Sequence, residues 1–248
     1  ATGKKIERYV FALAGEEKQS MGRLTERVAI VTGAGQGIGR GVARAFAGEG
    51  ACVVIASRRR AAGEQVASEI ERDFAGRGGR AIYVQTDVSE QASVQELVSS
   101  VVRDFGRVDV LVNNATPSGG GARLERMTQA AVEEHIRVNY YGAFWAMQAV
   151  FPHMKAAGWG RIISMASLNG INAHQHTAMY NGSKEALRAL TRTAAVEWAR
   201  HGITCNVLCP AAVTPPWQAF ERFDPAGARA LVEMIPLGRM GDSETDIG

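Results

Sequence analysis

Six apolar runs of strand length alternate with five segments of helix length, and nothing else in the chain restricts its fold as much. The runs are residues 28–32, 52–57, 81–85, 108–113, 161–165 and 204–208. Most are unbroken stretches of Val, Ile, Leu and Ala rather than in/out alternations, the pattern of parallel strands covered on both faces. Between them lie helix-length segments at 40–50, 62–75, 91–105, 130–157 and 178–201. Gly50, Gly76, Gly106, Gly158 and Gly202 stand at or just past their ends, where a left-handed cap favours glycine. Strand–helix repetition of this kind predicts an α/β fold: a single-domain, Rossmann-type, doubly wound parallel sheet with helices on both faces. A length of 248 residues suits one such domain, and no repeat or linker interrupts it.

Composition narrows the function classes. The chain is 46% hydrophobic and 21% charged, so disorder and disulfide scaffolds are excluded. Its net charge of +3 and longest basic run, Arg58-Arg59-Arg60, give no nucleic-acid footprint. Cys52, Cys205 and Cys209 are odd in number and sit in or beside strand-like runs. They read as buried thiols of a cytoplasmic protein, not as a zinc site, so no metal is expected. No apolar stretch approaches the about 18 residues that would span a bilayer, so no membrane partner is expected. Lys4 and Lys5 precede a six-residue apolar run at 9–14, too short for a secretory signal. Met21 leads straight into the first strand. Residues 1–20 therefore read as an N-terminal extension or an added segment, and 21–248 as the domain.

Directly after the first run comes Thr32-Gly33-Ala34-Gly35-Gln36-Gly37-Ile38-Gly39, opening a helix. Free N–H groups and the positive dipole end of that helix attract a pyrophosphate, and glycine lets the backbone come close to it. Gly33, Gly35, Gln36, Gly37, Ile38 and Gly39 are the candidate contacts. At the end of the second run, an acidic residue would bind the ribose hydroxyls of NAD. This chain has Ser57-Arg58-Arg59 there and no acid until Glu64. A guanidinium and a hydroxyl suit a 2′-phosphate, so NADP (NADPH) is expected over NAD.

Tyr180 and Lys184 are four apart in a helical segment and share one face. A phenol with a pKa of about 10 is a poor acid/base group near neutrality, and a nearby ammonium lowers that value. Ser167 follows the fifth run, at the edge of the sheet where ligands gather.

Taken together, TGAGQGIG, Asn113-Asn114-Ala115, Asn139, Ser167 and Tyr180-Asn181-Gly182-Ser183-Lys184 resemble the short-chain dehydrogenase/reductase family across residues about 22–240. The resemblance implies that Tyr180 is the acid/base and that Ser167 hydrogen-bonds the substrate carbonyl. It implies that Lys184 binds the nicotinamide ribose and lowers the tyrosine pKa, while Asn139 holds a water linking Lys184 to solvent. Asp87 and Val88 match adenine contacts, Asn113 and Ala115 line the cofactor, and Pro210 and Thr214 match the segment at the nicotinamide carboxamide. Three departures stand out. Thr116 replaces a common glycine and is followed by Pro117 and Gly119-Gly120-Gly121. Ala211 follows Pro210 where glycine is usual. The chain stops at Gly248, where relatives continue through a last helix and strand.

The expected activity is hydride transfer between nicotinamide and a ketone or secondary alcohol, with 3-oxoacyl thioesters as one subtype. The alternatives are an enoyl or dienoyl reductase, or a silent nucleotide-binding scaffold, which the intact tetrad disfavours. Residues 210–236 form the expected lid. Trp217, Phe220 and Phe223 there either pack it down or wall a pocket for a hydrophobic or cyclic ketone. His174 and His176 read as solvated or substrate-facing. Helices 91–105, 130–157 and 178–201 leave exposed faces that resemble the family's oligomer surfaces, and the resemblance implies a homo-oligomer, a tetramer or dimer.

Overall fold

A computed structural model describes residues 22–117 and 121–248. The N-terminal extension, Met21, Gly119 and Gly120 lie outside the described residues. The six apolar runs form strands β1 (Val28–Thr32), β2 (Cys52–Ser57), β3 (Arg80–Gln85), β4 (Val110–Asn113), β5 (Gly160–Met165) and β6 (Ile203–Leu208). All five pairings are parallel, in the order β3-β2-β1-β4-β5-β6. The order reverses direction between β1 and β4, which opens a crevice at their carboxyl ends.

Helices α1 (Gly37–Gly48), α2 (Arg60–Phe74), α3 (Gln91–Phe105), α4 (Gln129–Ile136), α5 (Gly142–Ala157), α6 (Leu168–Ile171) and α7 (Ala178–Trp198) follow, then α8 (Pro215–Phe223) and α9 (Pro225–Glu233). Alternate residues of each central strand feed opposite cores, as a doubly covered sheet requires. Ile30, Leu111 and Ile162 meet α3, α5 and α7 on one side. Val31, Ile55 and Val112 meet α1 and α2 on the other. Each fully buried side chain of this size is worth about 1.5–3 kcal/mol relative to exposure.

The structure departs from the sequence reading in three places. Segment 130–157 is not one regular helix: Arg137–Tyr141 form a π turn between α4 and α5, and Pro152 sits inside α5 without ending it. After α2 the chain adds a 3₁₀ turn, Ala75–Arg77, so the left-handed position falls on Gly78 (φ 81°) rather than Gly76. Strand β4 starts at Val110, two residues later than the apolar run, and the preceding Asp109 carries a carboxylate. That carboxylate is buried at the amino end of the sheet. It accepts from Arg107 (2.6 and 2.8 Å), Arg27 (3.0 Å) and the Val28 N–H (2.9 Å). Arg27 also lies 4.0 Å over the Trp159 ring.

The expected lid folds into α8 and α9, capped by Thr214 and Asp224, each with proline in its first turn. Beyond it, Ala212 and Gly241 bridge, Glu244 pairs with Arg44 at 2.6 Å, and Ile247 packs on the α1–α2 core. Among the described residues no helix is long and apolar enough to cross a membrane.

Candidate active site

The glycine turn closes the crevice from below. Gly33 (φ 68°) and Gly37 (φ 56°) adopt left-handed backbone, and a Cβ on Gly33 would stand 2.8 Å from the Ala115 Cα. No other residue type fits there without strain. Gln36 is extended and caps α1 with backbone alone, so the first N–H groups of a twelve-residue helix are free to face an anion. Ile38 and Gly39 form its first turn. Thr32 Oγ1 accepts from the Asn114 and Ala115 N–H groups (3.0 and 3.2 Å), and Asn114 Nδ2 donates to the Thr32 carbonyl (2.8 Å). The turn after β1 and the loop after β4 are thereby held as one unit.

At the β2 end, Ser57 Oγ is buried and has no hydrogen-bond partner among the described residues. It faces Gly35, where a Cβ would lie 3.2 Å from that oxygen. Arg58 is exposed and has no ion-pair partner among the described residues. Arg59 donates to the Gln36 side chain, while Arg60 pairs with Glu64. Of the Ser57-Arg58-Arg59 segment read from the sequence, Arg59 is thus engaged with the glycine turn and Arg58 is not. Beyond β3, Asp87 Oδ1 accepts from the Ser89 N–H and hydroxyl (2.9 and 2.7 Å). Val88, Asn113, Ala115, Asn139 and Leu187 line a recess of about 10 Å³, room for about one water. Asn113 Oδ1 and Asn139 Oδ1 are both buried without a partner among the described residues. A buried polar atom left unpaired costs about 1–3 kcal/mol. The open glycine cradle and the three orphaned oxygens fit a polar ligand with an anionic group, as a dinucleotide has.

Four elements bring the tetrad together. Ser167 leaves β5, and its Oγ caps α6 by accepting from the Asn169 N–H (3.1 Å). Tyr180 and Lys184 lie one turn apart on α7. The π turn carries Asn139 inward, where its Nδ2 donates to Ser183 Oγ (2.9 Å), and that hydroxyl donates to the Tyr180 carbonyl (2.9 Å). Lys184 is 2% exposed and its Nζ donates to the Met165 carbonyl at 2.7 Å. Burial pulls its pKa down to about 8. The ammonium lies 5.6 Å from the centroid of the Tyr180 ring. Burial raises the Tyr180 pKa, opposed by a hydrogen bond with Ser167. In this structure burial dominates at the phenol, and the lowering expected from Lys184 does not.

Thr214 caps α8 and lies 3.7 Å from the position of a Cβ on Gly37, so the segment expected to be a lid begins beside the glycine turn. Pro210 and Ala211 connect it to β6. Trp217 packs on Phe220 (ring centroids 5.9 Å), whereas Phe223 is 89% exposed. His174 and His176 are exposed, and no metal-holding cluster occurs among the described residues.

Two neighbours escaped the sequence reading. Arg188, one turn after Lys184, donates to the Ser167 carbonyl (3.4 Å) and Cys209 Sγ (3.5 Å). His135, one turn before Asn139, is buried beside it and meets the Tyr180 ring edge-on. Their four-residue spacing from the candidate site residues Lys184 and Asn139 was the available signal.

A parallel sheet with a glycine turn at its switch point and a Ser–Tyr–Lys–Asn group beside it defines a nucleotide-dependent oxidoreductase acting on a CH–OH/C=O pair. Residues 27–224 match the family model described as short chain dehydrogenase, and the chain belongs to that family. It is 35% identical to a 12alpha-hydroxysteroid dehydrogenase of Clostridium sp., over 92% of this chain and 89% of that protein. Among solved structures it resembles NAD+-bound xylitol dehydrogenase (TM-score 0.81, 30% identity, 90% and 89% of the two chains). It also resembles levodione reductase (TM-score 0.83, 29% identity, 90% and 88%). The family uses a nicotinamide dinucleotide and small-molecule alcohols or carbonyls.

Proposed function

We propose that this chain is an NADP-preferring reductase or dehydrogenase of an apolar ketone/secondary-alcohol pair. The observation that carries the reading is the convergence of Ser167, Tyr180 and Lys184 at the end of β5, beside the glycine turn. Nicotinamide bound in the crevice supplies or accepts the hydride. In the reducing direction Ser167 Oγ and the Tyr180 hydroxyl both donate to the substrate oxygen, and Tyr180 then transfers its proton to that oxygen. Lys184 binds the nicotinamide ribose and favours the phenolate that remains. Asn139 offers its unpaired Oδ1 to a water that returns the proton.

NADP preference is supported by the unpartnered Ser57 hydroxyl and the free guanidinium of Arg58. An apolar substrate is supported by Leu168, Ile171 and Val213, which are exposed around Ser167 and Thr214. The named activity of the Clostridium relative, on a hydroxysteroid, is consistent with that class. A homo-oligomer, tetramer or dimer, is supported by exposed apolar side chains on the outer helices, such as Val196 of α7 at 83%. Light scattering tests the assembly, and a monomer alone would remove it. For the activity, cyclic and open-chain ketones are screened with NADPH and NADH by the loss of absorbance. Turnover with NADPH on apolar ketones is expected; turnover confined to activated C=C bonds would move the protein to the enoyl-reductase class.

A further inference from the structure

His135 is a buried titratable group that the proton transfer described above leaves unused. It stands near the end of α4, where its ring meets that of Tyr180 at 88° with centroids 6.0 Å apart. Its Nδ1 lies 3.5 Å from Asn139 Nδ2. The direction of that contact follows from its neighbours. The Ser183 hydroxyl donates its one proton to the Tyr180 carbonyl, so it can only accept from Asn139. Asn139 therefore presents its NH2 group on this side, and the ring nitrogen facing it has to be an acceptor. The neutral imidazole then carries its proton on Nε2.

Three groups act on this ring. Glu134 on its own helix favours the imidazolium, Lys184 across on α7 opposes it, and the Tyr180 phenol is neutral. Burial comes first among the influences and holds the histidine below its ordinary value of 6.5. Protonation would set an N–H against the N–H of Asn139 and place a second cation near the Lys184 ammonium. Both effects would displace Asn139 from Ser183 and loosen the ring contact to Tyr180.

We infer that His135 is a positioning residue: its neutral form holds Asn139 and the Tyr180 ring in their reacting arrangement, and its protonation releases them. The inference rests on Tyr180 as the proton donor. A phenol alone stays protonated throughout the acid range and gives ketone reduction no acid limb. His135 supplies one, with a single proton.

The test compares pH–rate profiles of wild type, His135→Leu and His135→Asn. The leucine fills the space without an acceptor, and kcat is expected to fall about tenfold at pH 8 with cofactor Kd unchanged. The asparagine restores an acceptor near the position of Nδ1 and does not titrate. It is expected to recover most of that loss and to abolish the acid limb below pH 6.5. An acid limb that survives in His135→Asn, or a leucine variant with wild-type kcat, overturns the inference. A second measurement needs no substrate: nitrogen-15 NMR of the histidine ring in the wild-type protein at pH 8. The Nε2–H tautomer is expected, and Nδ1–H overturns the inference. If no ketone is turned over, the Tyr180 assignment fails on the rates, while the tautomer still decides the His135–Asn139 contact.

Discussion

Strand β4 has a polar residue just before its first position and another at its last, and the two are treated in opposite ways. At the amino end Asp109 is buried with its acceptor sites filled by Arg107, Arg27 and the Val28 N–H. At the carboxyl end Asn113 is equally buried, yet its Oδ1 has no partner among the described residues, and neither does Asn139 Oδ1 or Ser57 Oγ. Similar burial with and without satisfaction separates a joint from a binding surface. The amino edge ties β1 to β4, and its polar groups have no free valence for a ligand. The carboxyl edge keeps its valences open and bears the desolvation cost. The strands between are apolar and hold both edges at a fixed separation.

Removing the phenol cuts the carboxyl edge at its chemical centre and should have the largest effect. Tyr180→Phe keeps the ring and is expected to lower kcat by about 10²–10⁴-fold while leaving the melting temperature and cofactor affinity nearly unchanged. Steady-state rates with a calorimetric scan check it, and turnover within a few-fold of wild type would remove Tyr180 from the mechanism.

The amino edge should behave in the reverse manner. Asp109→Ala leaves the Val28 N–H unpaired and the partly exposed Arg27 and Arg107 without their shared anion, and is expected to cost about 1–3 kcal/mol of stability, read by urea unfolding. Activity of the folded fraction should persist. Burial alone would raise the Asp109 pKa, but the hydrogen bonds from Arg107, Val28 and Arg27 outweigh it and hold the carboxyl below its ordinary value of 3.8. The unfolded chain therefore takes up this proton first as pH falls. The stabilisation is complete above pH 3.8 and is lost as pH drops through the lower folded value. A wild-type acid midpoint unaltered in Asp109→Ala would count against this edge as a joint.

Arg58→Ala should weaken NADPH binding by about 1.5–3 kcal/mol and leave NADH nearly unaffected, as fluorescence titration would show. Equal affinities for both cofactors in wild type would end the NADP assignment.

The smallest effect on stability has the opposite sign. Lys184→Met should abolish activity and raise stability by about 1–2 kcal/mol at pH 7, because it removes a buried charge. Lys184 has its pKa lowered from 10.5 to about 8, so between those values the unfolded chain binds the extra proton and wild-type stability climbs with pH. The advantage of the methionine variant should shrink across that window. A gap that stays constant with pH would show that the lysine's burial is not what costs stability.

The strands were legible because each is an apolar run bounded by polar or glycine punctuation, and the glycine turn because its residues are consecutive. Tyr180 and Lys184 share a helix face and were equally open to pattern. The π turn was not: 130–157 reads as one helix in composition, and the contacts that the turn makes, Asn139 to Ser183 on α7 and Gly142 against Val88, lie far away in sequence. The lid's two helices were also missed as elements, although Thr214-Pro215 and Asp224-Pro225 carry the cap-and-proline signature at both starts. His135 and Arg188 were hidden because their roles come from partners 45 and 21 residues away, Tyr180 and Ser167.

The π turn also ties the length of this segment to its course. Each residue of an α-helix advances the chain by about 100°. Deleting one residue from Arg137–Tyr141 would allow an unbroken α-helix with regular hydrogen bonding throughout, and local propensity would not object. Closing the turn to α geometry without such a deletion would instead rotate α5 by about that angle relative to α4, carrying Met147, Val150 and Met154 away from the core they fill. The wide turn and its extra residue therefore go together: a one-residue deletion would remove both and leave α5 in register, and what it would forfeit is the inward step that brings Asn139 to Ser183.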